Sequence, residues 1–175
     1  NKDIENTVTE GSIGTIFYPV DDDVSRAKIK SLISISNKTK TPVLFSKSTY
    51  PYKAIGILVN NDFGESTSNS IAFDLASSLS ASLVAVNITQ PKFLQSEDTA
   101  KLTDSLEKMQ DLALSYQVKL DFENHEGNEA KIFSELSSKF DLSIIGNGKN
   151  QSWQSRKTTE FISNNSKSSV LYIPS

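Results

Sequence analysis

From Ala54 onward the chain alternates short apolar runs with amphipathic stretches, and this order restricts the fold more than any other feature. The runs are Ala54–Val59 (A-I-G-I-L-V), Ser82–Ile88 (S-L-V-A-V-N-I), Val118–Phe122, Leu142–Ile145 and Val170–Ile173. Their length and apolar content suit strands covered on both faces. Between them, Ser70–Leu79 carries Ile71, Leu75, Ala76 and Leu79 on one helical face. Glu97–Tyr116 holds Leu102, Leu106, Met109, Leu112, Ala113 and Tyr116 at three-four spacing, the mark of an amphipathic helix. Asn128–Phe140 and Arg156–Asn165 read as two further helices. The order is thus β-α-β-α-β-α-β-α-β. Right-handed crossovers between such units give a parallel sheet with helices on both faces.

Upstream lies a shorter piece of the same kind. Ile13–Val20 reads as a strand, Asp21, Asp22 and Asp23 as the acidic cap of a helix, and Ile29, Leu32, Ile33 and Ile35 as its buried face. Pro42–Phe45 is then a second strand. The end of this piece, I-S-N-K-T-K-T-P-V-L-F at residues 35–45, recurs as I-S-N-N-S-K-S-S-V-L-Y at residues 162–172. Each copy is a last helical turn, a polar break and a short strand, and a self-match of this kind indicates duplication. Residues 1–50 are accordingly expected to be the closing β-α-β of one module. Residues 51–175 are expected to form a complete second module, with Ser48–Lys53 as the joint, and the chain reads as cut from something longer. Pro42–Phe45 should be placed like Val170–Ile173 about a local pseudo-twofold axis.

Composition removes several function classes. With no cysteine there are no disulfides, thiolate nucleophiles or Cys-based zinc sites, and a cytoplasmic location is compatible with this. A single histidine, His125, excludes any His-pair metal site. A net charge of −3 with acids and bases interspersed leaves no electrostatic footprint for nucleic acid. Mean hydropathy is −0.33 and no apolar run approaches the length of a membrane span.

In open α/β sheets, ligands sit beyond the carboxyl ends of the strands where strand order reverses. Two loops meet there, 60–68 and 146–156. Asp62 in the first is placed either to accept hydrogen bonds from a ribose or adenine edge or, with Ser66, to cap the next helix. The second opens G-N-G-K; Gly146 and Gly148 would let backbone N–H groups approach a phosphate, and Lys149, Arg156, Lys157, Thr158 and Thr159 would complete the cradle. A plain surface loop accounts for the same residues. His125 and Glu126 fall in the loop after the third strand, where a solvated histidine is the simpler reading than a general base. Trp153, in a polar loop, would stack on a base, dock a partner or pack over the sheet edge.

Several phrases resemble the universal stress protein family. I-L-V-N-N-D at Ile57–Asp62 resembles its opening I-L-V-x-V-D. E-G-N-E-A-K-I-F at Glu126–Phe133, then F-D-L-S-I-I-G at Phe140–Gly146, resemble its E-G-x-x-x-x-x-I and A-D-L-I-V-I-G elements. The ending S-S-V-L-Y-I-P resembles C-P-V-L-V-V-P. The resemblance covers residues 51–175. It implies a flavodoxin-like, Rossmann-like five-stranded parallel sheet of order 3-2-1-4-5, self-association through the last strand and, in one subgroup, binding of ATP or another adenine nucleotide. By the same resemblance Asp62 matches the adenosine-contacting acid, and Ile88 falls where backbone after the second strand meets adenine. That subgroup carries G-x-x-G, nine residues, then G-[S/T]. Here Gly146 matches the first glycine, Gly148 stands one position early with Lys149 in its place, and Thr158-Thr159 or Thr159-Glu160 replaces the last glycine. A Cβ there crowds a backbone meant to approach phosphate, which argues against tight ATP binding.

The expectation is a non-catalytic regulatory module acting through dimerisation and weak nucleotide sensing. The alternative is the cytosolic tail of a sodium/proton antiporter, with the transporter domain in the same polypeptide. A nucleotide hydrolase ranks behind both, because the sequence places no base, metal cluster or complete phosphate loop.

Overall fold

A computed structural model describes residues 14–20, 26–47, 51–59, 67–89, 99–146 and 153–174. The strands are β1 (Ile16–Pro19), β2 (Val43–Ser46), β3 (Ala54–Val59), β4 (Ser82–Thr89), β5 (Leu120–Glu126), β6 (Leu142–Gly146) and β7 (Ser169–Ile173). The helices are α1 (Arg26–Thr39), α2 (Thr67–Leu79), α3 (Thr99–Tyr116), α4 (Glu129–Leu136) and α5 (Trp153–Asn165).

All seven strands join one sheet in the order β1-β2-β7-β6-β3-β4-β5. Within it, β5-β4-β3-β6-β7 is the expected parallel order 3-2-1-4-5. The expectation of five strands with a separate N-terminal piece is corrected in one respect. β2 pairs antiparallel with β7 and β1 lies parallel outside it, so the piece extends the sheet. The physical reason is that β7, buried along its whole length and mostly apolar, would otherwise present an unpaired edge, which proteins cover.

The sheet is covered on both faces. Alternate residues of each strand point to opposite sides, so Ile55, Ile57, Leu83, Ala85, Ile144 and Leu171 meet α2 and α3 through Phe73, Ala76, Met109 and Ala113. The other face carries Phe45, Leu58, Val86, Ile88, Val170 and Tyr172 against α1, α4 and α5 through Leu32, Phe133 and Ile162. On β1, Ile16 and Tyr18 join this second face, whereas Phe17 points to the first and stays 62% exposed, beyond the reach of α2 and α3.

Three further expectations change. β5 runs on to Glu126, so His125 and Glu126 lie in a strand and not a loop; the ladder continues because β4 extends to Thr89, opposite Glu126. The helix expected over Asn128–Phe140 ends at Leu136 and tightens into a 3₁₀ turn at Ser137–Lys139. Trp153 opens α5 instead of standing in a loop. Asp21, Asp22 and Asp23 lie outside the described residues.

Candidate functional site

β3 and β6 are neighbours, and α2 and α3 leave the sheet on one side while α4 and α5 cover the other. The crevice between their carboxyl ends is therefore the point of reversal. Two helices begin there, α2 following β3 and α5 following β6. Their N-termini carry partial positive charge toward the crevice, and Arg156 and Lys157 are exposed within the first turns of α5.

Gly146 ends β6 and lies under the first turn of α2. A Cβ placed on it would stand 2.6 Å from Cβ of Ser68 and closer still to its hydroxyl. Only a glycine admits the helix this near. Ser68 and its neighbour Asn69 are buried, at 5% and 4% exposure. The sequence did not single them out, because Ser and Asn in a polar run look like a solvated loop. Only the strand order brings this first turn of α2 against β6.

Ile88 sits at the far wall. Its side chain is in the core with Phe133 and Ile145, so only its backbone can serve a ligand. In a parallel ladder successive peptides face alternate neighbours. Leu83 donates to Lys119 on the β5 side, and Thr89 accepts from Gly127 on that side. Ile88 thus faces β3, whose described pairing with β4 stops at Val59–Asn87. The Val59–Asn87 step engages the Ile88 N–H with the Val59 carbonyl, so the Ile88 carbonyl is the first group on this edge beyond the described ladder.

Thr158 and Thr159 lie more than a turn inside α5. Their N–H groups are at positions that bond back along the helix, so hydroxyls alone remain for a ligand. Thr158 is half-buried and Thr159 buried at 4%. Asp62, Gly148 and Lys149 lie outside the described residues.

Nearby, Asn128 caps α4 by accepting from Lys131 N–H at 3.0 Å. Glu129 follows in its first turn, and burial raises its carboxyl above the usual range. His125 is turned elsewhere: Nε2 lies 3.0 Å from Glu123 Oε2, and Lys139 Nζ donates to both oxygens of the same carboxylate at 3.1 Å. The His125 hydrogen bond, then Lys139, holds Glu123 below the carboxylate norm against partial burial. Among the described residues no three His, Asp or Glu side chains gather as metal ligands, and no helix is long and apolar enough to cross a membrane.

No protein-family model and no curated protein matches the chain. Solved structures do, and many are universal stress proteins. A functionally unknown protein from Pseudomonas aeruginosa PAO1 superposes with a TM-score of 0.62 at 18% identity, over 98% of this chain and 66% of its own. A universal stress protein from Archaeoglobus fulgidus gives 0.65 at 14% identity, over 92% of this chain and 60% of its own. A universal stress protein solved in complex with cAMP gives 0.58 at 18% identity, over 71% of this chain and 98% of its own. The chain thus spans 66% and 60% of the length of the first two. Likeness at these identities shows the fold, and the fold is that of the universal stress proteins.

Proposed function

We propose that the chain is a non-catalytic regulatory module of the universal stress protein type that takes an adenine nucleotide at the β3–β6 crevice. The observation that carries this reading is the peptide carbonyl of Ile88, the first group beyond the last described β3 pairing, at a crevice faced by two helix N-termini. A heteroaromatic ring with an exocyclic amino donor suits that carbonyl acceptor, and an anionic tail suits helix N-termini. A protein of this fold solved with cAMP supports the same class of ligand. The nucleoside part carries the affinity, because the N–H groups of Thr158 and Thr159 are at positions spent within α5. A regulatory rather than catalytic output accords with His125, whose ring is engaged by Glu123 away from the crevice.

Residues 51–175 form the complete unit in this reading, and residues 1–50 the closing β-α-β of a second. Solved structures that span nearly the whole chain only in part of a longer one support that division. The expected partner strand for β7 in a second copy is then supplied by β2 of the same chain.

The test is calorimetric titration with ATP, AMP and cAMP, with Asp62→Ala as control. The three should bind within about tenfold of one another, about 1.4 kcal/mol, and the variant should lose all three. ATP binding a hundredfold tighter would overturn the nucleoside-dominated part. Absence of heat from every nucleotide, with the fold intact, would overturn the reading.

A further inference from the structure

Away from that crevice, a groove of about 480 Å³ runs between α4 and α5. It lies toward the amino ends of β6 and β7, since Ser138 and Lys167 at its end precede those strands. Its origin is the size of the facing side chains. α4 presents Lys131 and Ser134, the 3₁₀ turn after it adds Ser138, and α5 presents Phe161 and Asn165 one turn apart. Serines cannot fill the space between two helices, so a trough remains.

Its polar groups are partly committed. Asn165 Nδ2 donates to the Phe161 carbonyl at 2.7 Å, and Ser138 Oγ donates to the Glu135 carbonyl at 3.0 Å. Lys167 is fixed at the rim, its N–H donating to Ser137 Oγ at 2.7 Å. Ser134 is different. It is 6% exposed, and its hydroxyl has no hydrogen-bond partner among the described residues. Burying such a group unpaired costs free energy that a ligand acceptor would recover. The Phe161 ring, 44% exposed, supplies an apolar wall.

The charges decide the class of ligand. Lys131 and Lys167 stand against one carboxylate, Glu135, leaving the groove with one net positive charge. Its volume falls in the range of small-molecule sites. We propose that this groove binds a small aromatic monoanion, an aryl carboxylate, with the carboxylate between Lys131 and Lys167 and the ring against Phe161. Lys167 is also a charge that acts on Lys47 at the end of β2. An anion seated against Lys167 would therefore be felt where the N-terminal piece meets α5. The site is independent of the nucleotide crevice.

The experiment is titration of the full chain with 1-naphthoate, followed by amide chemical shifts and calorimetry. Shifts should saturate within residues 131–138 and 161–167, leave Ser68 and Gly146 unmoved, and persist in excess AMP. Phe161→Ser, the pair Lys131→Gln with Lys167→Gln, and Ser138→Leu, all at exposed positions, should each weaken binding about tenfold or more, and neutral 1-naphthol should bind far less. Non-saturating shifts, unchanged binding in Phe161→Ser, or equal binding of 1-naphthol would each overturn the proposal.

Discussion

Phe45→Ala tests whether the N-terminal β-α-β is part of one cooperative body with the rest. Phe45 is fully buried, paired with Val170 across the antiparallel β2–β7 seam, and clustered with Ile33, Ile162 and Tyr172. Truncating a fully buried Phe costs about 3–5 kcal/mol, transfer and cavity terms together. For a chain of this size each kcal/mol lowers Tm by about 2–4 °C, so Tm should fall by about 10 °C. The assay is thermal and urea unfolding followed by near- and far-ultraviolet circular dichroism. One coincident transition should move as a whole, with the urea slope unchanged. The exposed Phe17→Ala is the control and should shift stability by less than about 0.5 kcal/mol. If Phe45→Ala instead produced an early separate transition, with the main one unmoved, β1–α1–β2 would be an appendage. The claim of a single seven-stranded body would then fail.

Three other outcomes follow from particular contacts. Burial, with the Lys167 charge adding to it, lowers Lys47 from 10.5 to about 8. Between those values the unfolded chain holds this proton and the folded one does not, so its contribution to stability rises with pH across that window; the difference between wild type and Lys47→Met in urea should show that slope and be flat below it. Gly146→Ala should cost about 1–3 kcal/mol by driving a Cβ into Ser68, and Ser68→Gly in the same chain should restore much of the loss in a melting assay. Gln117 holds φ 54° at the end of α3, and Gln117→Gly should raise stability by about 1 kcal/mol in urea unfolding, since a side chain is strained in that region.

The strands were legible because a sheet covered on both faces needs near-continuous apolar runs, and β3, β4, β6 and β7 supply them. β5 was read short at its end because it is an edge strand whose residues from Glu123 to Glu126 are polar and partly exposed. Helix ends were legible only from where apolar spacing stops. Lys40, Ser80 and Gln117 occupy the left-handed position that glycine usually marks. Their neighbours Thr41, Ala81 and Val118 close each end by donating back to Ser36, Ala76 and Ala113. The start of α5 was hidden because W-Q-S carries no helical apolar spacing. At the site, Gly146 stood out as a glycine after a strand. The buried Ser68 and Asn69 did not, since their burial depends on which strands become neighbours.

The repeated phrase was the sequence's clearest statement about tertiary arrangement, and strand register gives it physical form. Val43 stands opposite Ile16 in the first piece, and Val170 opposite Ser143 in the second, so the two parallel pairs share one register relative to the phrase. Where the pieces meet, Leu44 pairs with Leu171, the corresponding leucine, and Val43 and Phe45 pair with Tyr172 and Val170. A two-fold relation requires self-pairing of this kind. Departures from the symmetry lie in the caps. Lys47 Nζ donates to the carbonyls of Ser163 and Ser166 at the end of α5, each at 2.9 Å. Its counterpart after β7 is Pro174, which has no such donor. The end of α1 is closed instead from within, Ser36 Oγ donating to the Thr41 carbonyl at 2.6 Å. From the other side Tyr172 donates its hydroxyl to Asn37 Oδ1 at 2.6 Å. Each half thus holds the other's helix by a different group. A second copy of this chain offering its own β7 could reproduce the strand ladder but not the Lys47 clasp, so β2 of the same chain holds that edge.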